Sequence, residues 1–248
     1  MGESSIGILM SVSSRVNTSL QIELSPRSGF RVMLSIIGIL LCANITGLLL
    51  RDVFGHDYVQ GLIYLFDFGR ERNIPTAYSA LQLFAASIVL ALVGLSKKNE
   101  GHHFVYWLSL SLIFAFLTYD ELFQVHERLI SPIRQRLSLG GVFHFSWVIP
   151  YGLATLLIFV LYLKFLISLP WKTTKLFVLS GVVYLTGALG FEMLGGLIVS
   201  SGGRDTIPYA LLTTCEELLE LVGVAIFIYS LFAYIADHKL SLQVTINH

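Results

Sequence analysis

The chain has 248 residues, 55% hydrophobic and only 13% charged, with zero formal net charge and a mean hydropathy of +0.75. Soluble domains carry about a quarter charged residues, so the composition excludes a water-soluble fold and places the chain in a bilayer. The neutral balance gives no electrostatic footprint for nucleic acid, and two cysteines, Cys42 and Cys215, both within apolar segments, argue against a disulfide framework.

Residues 1–30 are polar and serine-rich and read as a disordered or surface-lying tail. "GILMSV" is too short for a signal-peptide core, and Ile6 stands where a myristoylation motif needs Ser or Thr. The first predicted span is 31–53. The apolar piece "YVQGLIYLFDF" at 58–68 is too short to cross and predicts an interfacial or re-entrant segment. Spans follow at 74–96, 102–127, 142–169, 172–200 and 209–236, with a short tail at 237–248. The fold class is therefore an all-α integral membrane protein: six transmembrane helices in one domain, 31–236, antiparallel to their sequence neighbours because the connections are short.

Pro75 and Pro208 lie in first helical turns, where a missing N–H costs nothing. Trp107, Trp147 and Trp171 lie near helix starts, at aromatic-belt positions. "RNIP" before the second span and "RDTIP" before the sixth look alike but are too short to establish a repeat. Glycines concentrate in the fifth span, at 181, 187, 190, 195 and 196, which predicts close helix packing. The Lys and Arg balance between the two sides is nearly even, but the lysines near helix ends fall on the side of the termini. This predicts both termini in the cytoplasm of a bacterial-type inner membrane.

The acidic residues carry the functional signal. "TYDELFQVHERL" (118–129) puts Asp120, Glu121, His126 and Glu127 at the end of the third span. Glu192 lies near the end of the fifth, and Glu216, Glu217 and Glu220 lie in the first half of the sixth. All seven acids then fall in one half of the bilayer, the outer one on this topology. At about 1.5 Å per residue, Glu216 and Glu220 lie roughly 12–18 Å along their helix. A carboxylate there costs several kcal/mol unless paired or protonated, and such residues mark functional sites. Along a straight helix, Asp120, Gln124 and Glu127 form one stripe and Tyr119, Phe123 and His126 another, about 120° away. Asp120 and His126 would then reach one centre only from its flanks. Compensation must come from shared protons, from the loop arginines Arg70, Arg72, Arg134, Arg136 and Arg204, or from a metal.

Three readings follow. In the first, Glu192, Glu216, Glu220, Asp120 and His126 hold a divalent metal (Fe, Mn or Zn), with Asp120 and His126 also catalytic, in an enzyme acting on a lipid-like or other hydrophobic substrate. None of these acids forms a Glu-x-x-His pair of the di-iron type. In the second, Glu192 and Glu220 serve a proton- or cation-coupled transporter, working alone or as a homo-oligomer. In the third, the acids fix packing in a partner subunit without chemistry of its own. Known membrane-hydrolase motifs are not matched: Leu221 stands where a CAAX-type protease needs Arg, no Gly-x-Ser-x-Gly occurs, and the last two spans lack histidine.

Overall fold

The computed structural model describes residues 25–56, 59–98, 103–238 and 240. These residues are mostly helical with no strand among them, and six helices are long and apolar enough to cross a membrane. The tail at 1–24 and the end at 241–248 lie outside the described residues.

Helix α1 (Pro26–Asp52) begins earlier than the predicted span because Pro26 sits at its first position, where no N–H is needed. Its buried residues Ile37, Leu40, Asn44 and Gly47 form a single stripe. The segment predicted as re-entrant keeps one helical turn, α2 (Leu62–Phe66), whose Ile63 lies over Gly47. The chain then dips inward. Phe68 is buried with Leu221 and Ala225, and its N–H donates to Asn44 Oδ1 at 2.9 Å. Asn44 in turn donates to Thr214 Oγ1 at 3.0 Å, joining α1, this loop and the last helix.

Helix α3 (Ile74–Ser96) starts at Asn73, whose side chain accepts the Thr76 N–H at 3.1 Å. It packs along α4 (His103–Phe123), where Ser87 and Ser111 exchange hydrogen bonds to each other's carbonyls at 2.9 and 2.8 Å. The third span was expected to run unbroken to 127. It breaks instead at Gln124, which takes a left-handed conformation (φ 55°, ψ 47°) and starts a separate helix, α5 (Val125–Leu137). α5 buries no residue fully, carries Arg128, Arg134 and Arg136, and rests Leu129 and Ile130 on a small apolar cluster around Trp147. Such a two-faced helix lies along a surface rather than across a membrane.

Helix α6 (Val148–Ser168) follows a short turn, so its start falls later than the predicted 142. The fifth span has three parts: α7 (Trp171–Leu185), a π-helical segment (Thr186–Phe191) and α8 (Glu192–Ser200). Helix α9 (Ile207–Asp237) is the central post, packed by α1, α3, α7, the π segment and α8. Its 31 residues extend about 46 Å at 1.5 Å each, longer than the hydrocarbon core of about 30 Å.

The large apolar core occupies the half opposite the acids. Leu83, Leu90, Val93, Trp107, Phe165, Phe177, Phe227 and Leu231 converge there from five helices. The three tryptophans differ sharply in burial. Trp107 is 1% exposed, set edge-on to Phe165 and Phe177, and Trp147 is 7% exposed, whereas Trp171 is 71% exposed.

Two glycines allow α7 and the π segment to approach α9. A Cβ on Gly223 would lie 2.8 Å from the Tyr184 backbone nitrogen, and one on Gly187 would lie 2.6 Å from the Glu216 carbonyl oxygen. Backbone cannot yield as a side-chain tip does. Gly223→Ala should destabilise the protein by about 1–3 kcal/mol, read as a lower thermal midpoint in detergent. Gly181→Ala, which meets nothing within 4 Å, is the matched control and should leave the midpoint unchanged or slightly raised. Equal midpoints for both variants would show that the helices do not meet at Gly223.

Candidate functional site

The helix break at Gln124 builds the first part of the site. The Gln124 N–H still donates to the Asp120 carbonyl at 2.6 Å, and the left-handed residue then turns the chain so that α5 starts above Asp120. The Asp120 carboxylate accepts the His126 backbone N–H at 2.8 Å, as a cap would, and contacts His126 Nδ1 at 3.2 Å. The two residues that a straight helix would separate are therefore a hydrogen-bonded pair. Asp120 is buried at 5% exposure. The His126 ring lies 4.8 Å from the Trp147 ring, centroid to centroid. The buried Tyr151 hydroxyl lies close to Asp120 without completing a hydrogen bond.

The second part is Glu192, placed by the π segment. A π turn holds one extra residue in the hydrogen-bond ladder and shifts the face of everything after it. Here it precedes Glu192 directly, and the carboxylate accepts the Trp147 indole N–H at 2.7 Å. On its other side Glu192 adjoins Glu216 of α9.

The third part lies deeper, between α3, α4 and α9. Glu217 and Glu220, one turn apart on α9, face Glu121 of α4, and Tyr184 borders Glu220. Glu121 also faces Ser79 of α3 and Glu71. Glu71 belongs to the loop before α3 and accepts from Thr76 Oγ1 at 3.4 Å. Burial pushes the Glu71 carboxyl above its ordinary range, against the opposing pull of His126. Glu121, Glu192, Glu216, Glu217 and Glu220 all remain half-buried, so they line a crevice among the helices rather than filling a sealed core.

The structure brings the acids of α4, α8 and α9 to one end of the bundle and adds residues that the sequence pattern did not single out. Glu127 is exposed and lies outside the crevice. Glu71 was overlooked because it sits in a loop between Arg70 and Arg72, where a charge is ordinarily solvated. The α3 row Asn73, Thr76, Ser79 and Gln82 was also overlooked, and all four are buried at 5% exposure or less. Polar residues every third position in an apolar helix were the available signal.

Of the three possible sources of compensation, the loop arginines form no ion pair with the crevice acids among the described residues. Arg70 and Arg51 pair with Asp67 at 3.3 and 3.2 Å, and Arg134 donates to His144 Nε2 at 2.9 Å. Partial burial and the charges of Arg134 and Arg204 push His144 below its ordinary value, consistent with a neutral acceptor ring. Among the described residues, no Arg or Lys forms an ion pair with Glu71, Glu121, Glu192, Glu216, Glu217 or Glu220. Nor does any group of three or more His, Cys, Asp or Glu side chains among them stand together as a metal site would require. Asp120 with His126, and Glu192 with Glu216, come together as pairs; Glu220 lies with the deeper group.

The Asp120–His126 pair sets a pH dependence. Burial works against the His126 charge, but the hydrogen bond and charge of Asp120 outweigh it and raise the imidazole above its ordinary value. A raised histidine stabilises the fold below its unfolded value of about 6.5, and this is lost as pH rises through the higher folded value. Asp120→Asn should therefore destabilise by about 1–3 kcal/mol at about pH 6. It should destabilise by less at about pH 9, where the parent has already lost the charged pair. Thermal unfolding of both proteins across this range is the measurement, and a deficit independent of pH would show that the pair carries no charge.

Residues 32–235 match a protein family described as a domain of unknown function, DUF8692. No curated protein and no solved structure matches the chain. The matched stretch runs from α1 into the last turn of α9 and includes every residue of the crevice. This six-span membrane protein belongs to the DUF8692 family.

Proposed function

We propose that this chain is a small cation carrier in which protons exchange at the Glu192–Glu216 and Asp120–His126 pairs. One observation carries the reading: six glutamates and Asp120 line a membrane crevice in which the described residues supply no Arg or Lys ion pair. Such a crevice is compatible with a bilayer only if protons or other mobile cations neutralise it. The groups are also spaced from rim to depth, beginning with Glu71 in its loop and His126 at the start of α5. They continue through Glu192 and Glu216 to Glu217 and Glu220. A graded series of titratable groups is what proton passage needs, whereas a resident metal needs several donors at one point. With both termini cytoplasmic, as the lysine distribution favours, the rim opens to the outer side of the inner membrane.

A second reading has one observation in its favour. A carboxylate that fixes Nδ1 of a histidine leaves Nε2 as a general base, so Asp120 and His126 could serve an enzyme acting on a hydrophobic substrate. A divalent metal at Glu192, Glu216, Glu220, Asp120 and His126 would require these side chains to gather from their present pairs.

Proton flux separates the readings. The protein is reconstituted in liposomes with a trapped pH dye, and a potassium-diffusion potential is imposed with valinomycin. Proton uptake above protein-free liposomes is expected, slowed about tenfold or more in Glu192→Gln and in Glu216→Gln. Flux no greater than that of empty liposomes would overturn the carrier reading. A stoichiometric metal in the purified protein would then favour the enzyme.

A further inference from the structure

The proton-exchanging pairs leave one buried side chain without a role. Gln82 of α3 is 3% exposed, and neither its amide oxygen nor its amide nitrogen has a hydrogen-bond partner. Each unpaired buried polar group costs about 1–3 kcal/mol, so such a glutamine in a helix interior points to a missing occupant.

Its position indicates where that occupant sits. Asn73, Thr76, Ser79 and Gln82 recur every third residue, and each step turns by about 60° around α3, so consecutive members are neighbours on one winding row. The upper members are satisfied. Asn73 donates to the Asp67 carbonyl at 2.7 Å and accepts from Thr76 N, and Thr76 Oγ1 donates to Asn73 Oδ1 at 3.1 Å. Ser79, 4% exposed, faces the Glu121 carboxylate. Gln82 is one turn deeper beside Ser79, on the helix that packs along α4, which carries Glu121.

We propose that a sodium ion binds between α3 and α4, held by Gln82 Oε1, Ser79 Oγ and the Glu121 carboxylate. The donor chemistry selects the ion. All three are oxygens, which suit hard cations and not the softer transition metals. One carboxylate with two neutral oxygens balances a single positive charge, whereas divalent ions in proteins draw on more carboxylates. The histidine, cysteine and carboxylate side chains among the described residues form no group of three that would favour a divalent site. The site deepens the carrier reading and rests on it, because it names the second cation that protons at Glu192 and Glu216 would exchange against. Glu121 links the two, facing both Ser79 and the α9 carboxylates Glu217 and Glu220.

The test uses the intact protein in detergent, its thermal midpoint followed with NaCl, KCl, choline chloride or CaCl2 at matched ionic strength. A saturable rise with sodium, absent with choline and weaker with potassium, is expected. Gln82→Leu and Ser79→Ala should each weaken the sodium response about tenfold or more, and Gln82→Leu, which removes the unpaired amide, should raise the midpoint in choline above the parent's. Should either variant fail to fold, the salt comparison on the parent decides alone. Equal midpoints in sodium and choline, stabilisation by calcium only, or an unchanged sodium response in Gln82→Leu would overturn the proposal. Proton flux without a sodium response would remove this site and leave the carrier. A sodium response without proton flux would leave the site as a binding site and remove the exchange.

Discussion

Unneutralised carboxylate in a low-dielectric bundle is the constraint on which the rest of the structure depends. A single carboxylate in the hydrocarbon region costs several kcal/mol, and here Glu192, Glu216, Glu217, Glu220 and Glu121 share one crevice. The fold meets this locally through three departures from regular helix. Left-handed Gln124 sets the α5 amide and imidazole on Asp120. The π segment turns Glu192 to the Trp147 indole and to Glu216. Gly187 lets the π segment approach the Glu216 carbonyl so closely that any side chain there would collide. The first two sacrifice helix regularity for a hydrogen bond at a carboxyl group, and the third for a close helix contact.

The bundle affords this because its two halves do different work. The half away from the acids is packed with aromatic and aliphatic side chains, Trp107 at its centre against Phe165, Phe177 and Tyr234. α9 spans both halves, with Val224, Phe227 and Leu231 in the apolar core and Glu216, Glu217 and Glu220 in the crevice. One element thus anchors the fold and carries three of the acids.

Much of the polar architecture was legible in residue order. Asp120, Glu192, Glu216 and Glu220 come from three different spans, and the parity of the helices alone put them at one end of the bundle. The pairing was not legible. Helical-wheel geometry separated Asp120 from His126 because it assumed a straight helix through Gln124, a residue whose sequence context carries no glycine or proline to mark the break. The π turn was equally hidden, since "TGALGF" reads as ordinary packing glycines. The expected role of the loop arginines failed for a related reason: Arg70 and Arg51 found the nearer Asp67, and Arg134 found His144.

By itself the sequence determined the solvent, the number of spans and that the acids of three spans gather at one end of the bundle. Those follow from hydropathy and helix length, which are properties of each segment alone. Only the tertiary structure decided which acids meet, that Glu71 joins them, and that Gln82 is buried without a partner. These depend on the faces that helices turn to one another, and a single extra or left-handed residue rotates a face without changing the hydropathy that announced the helix.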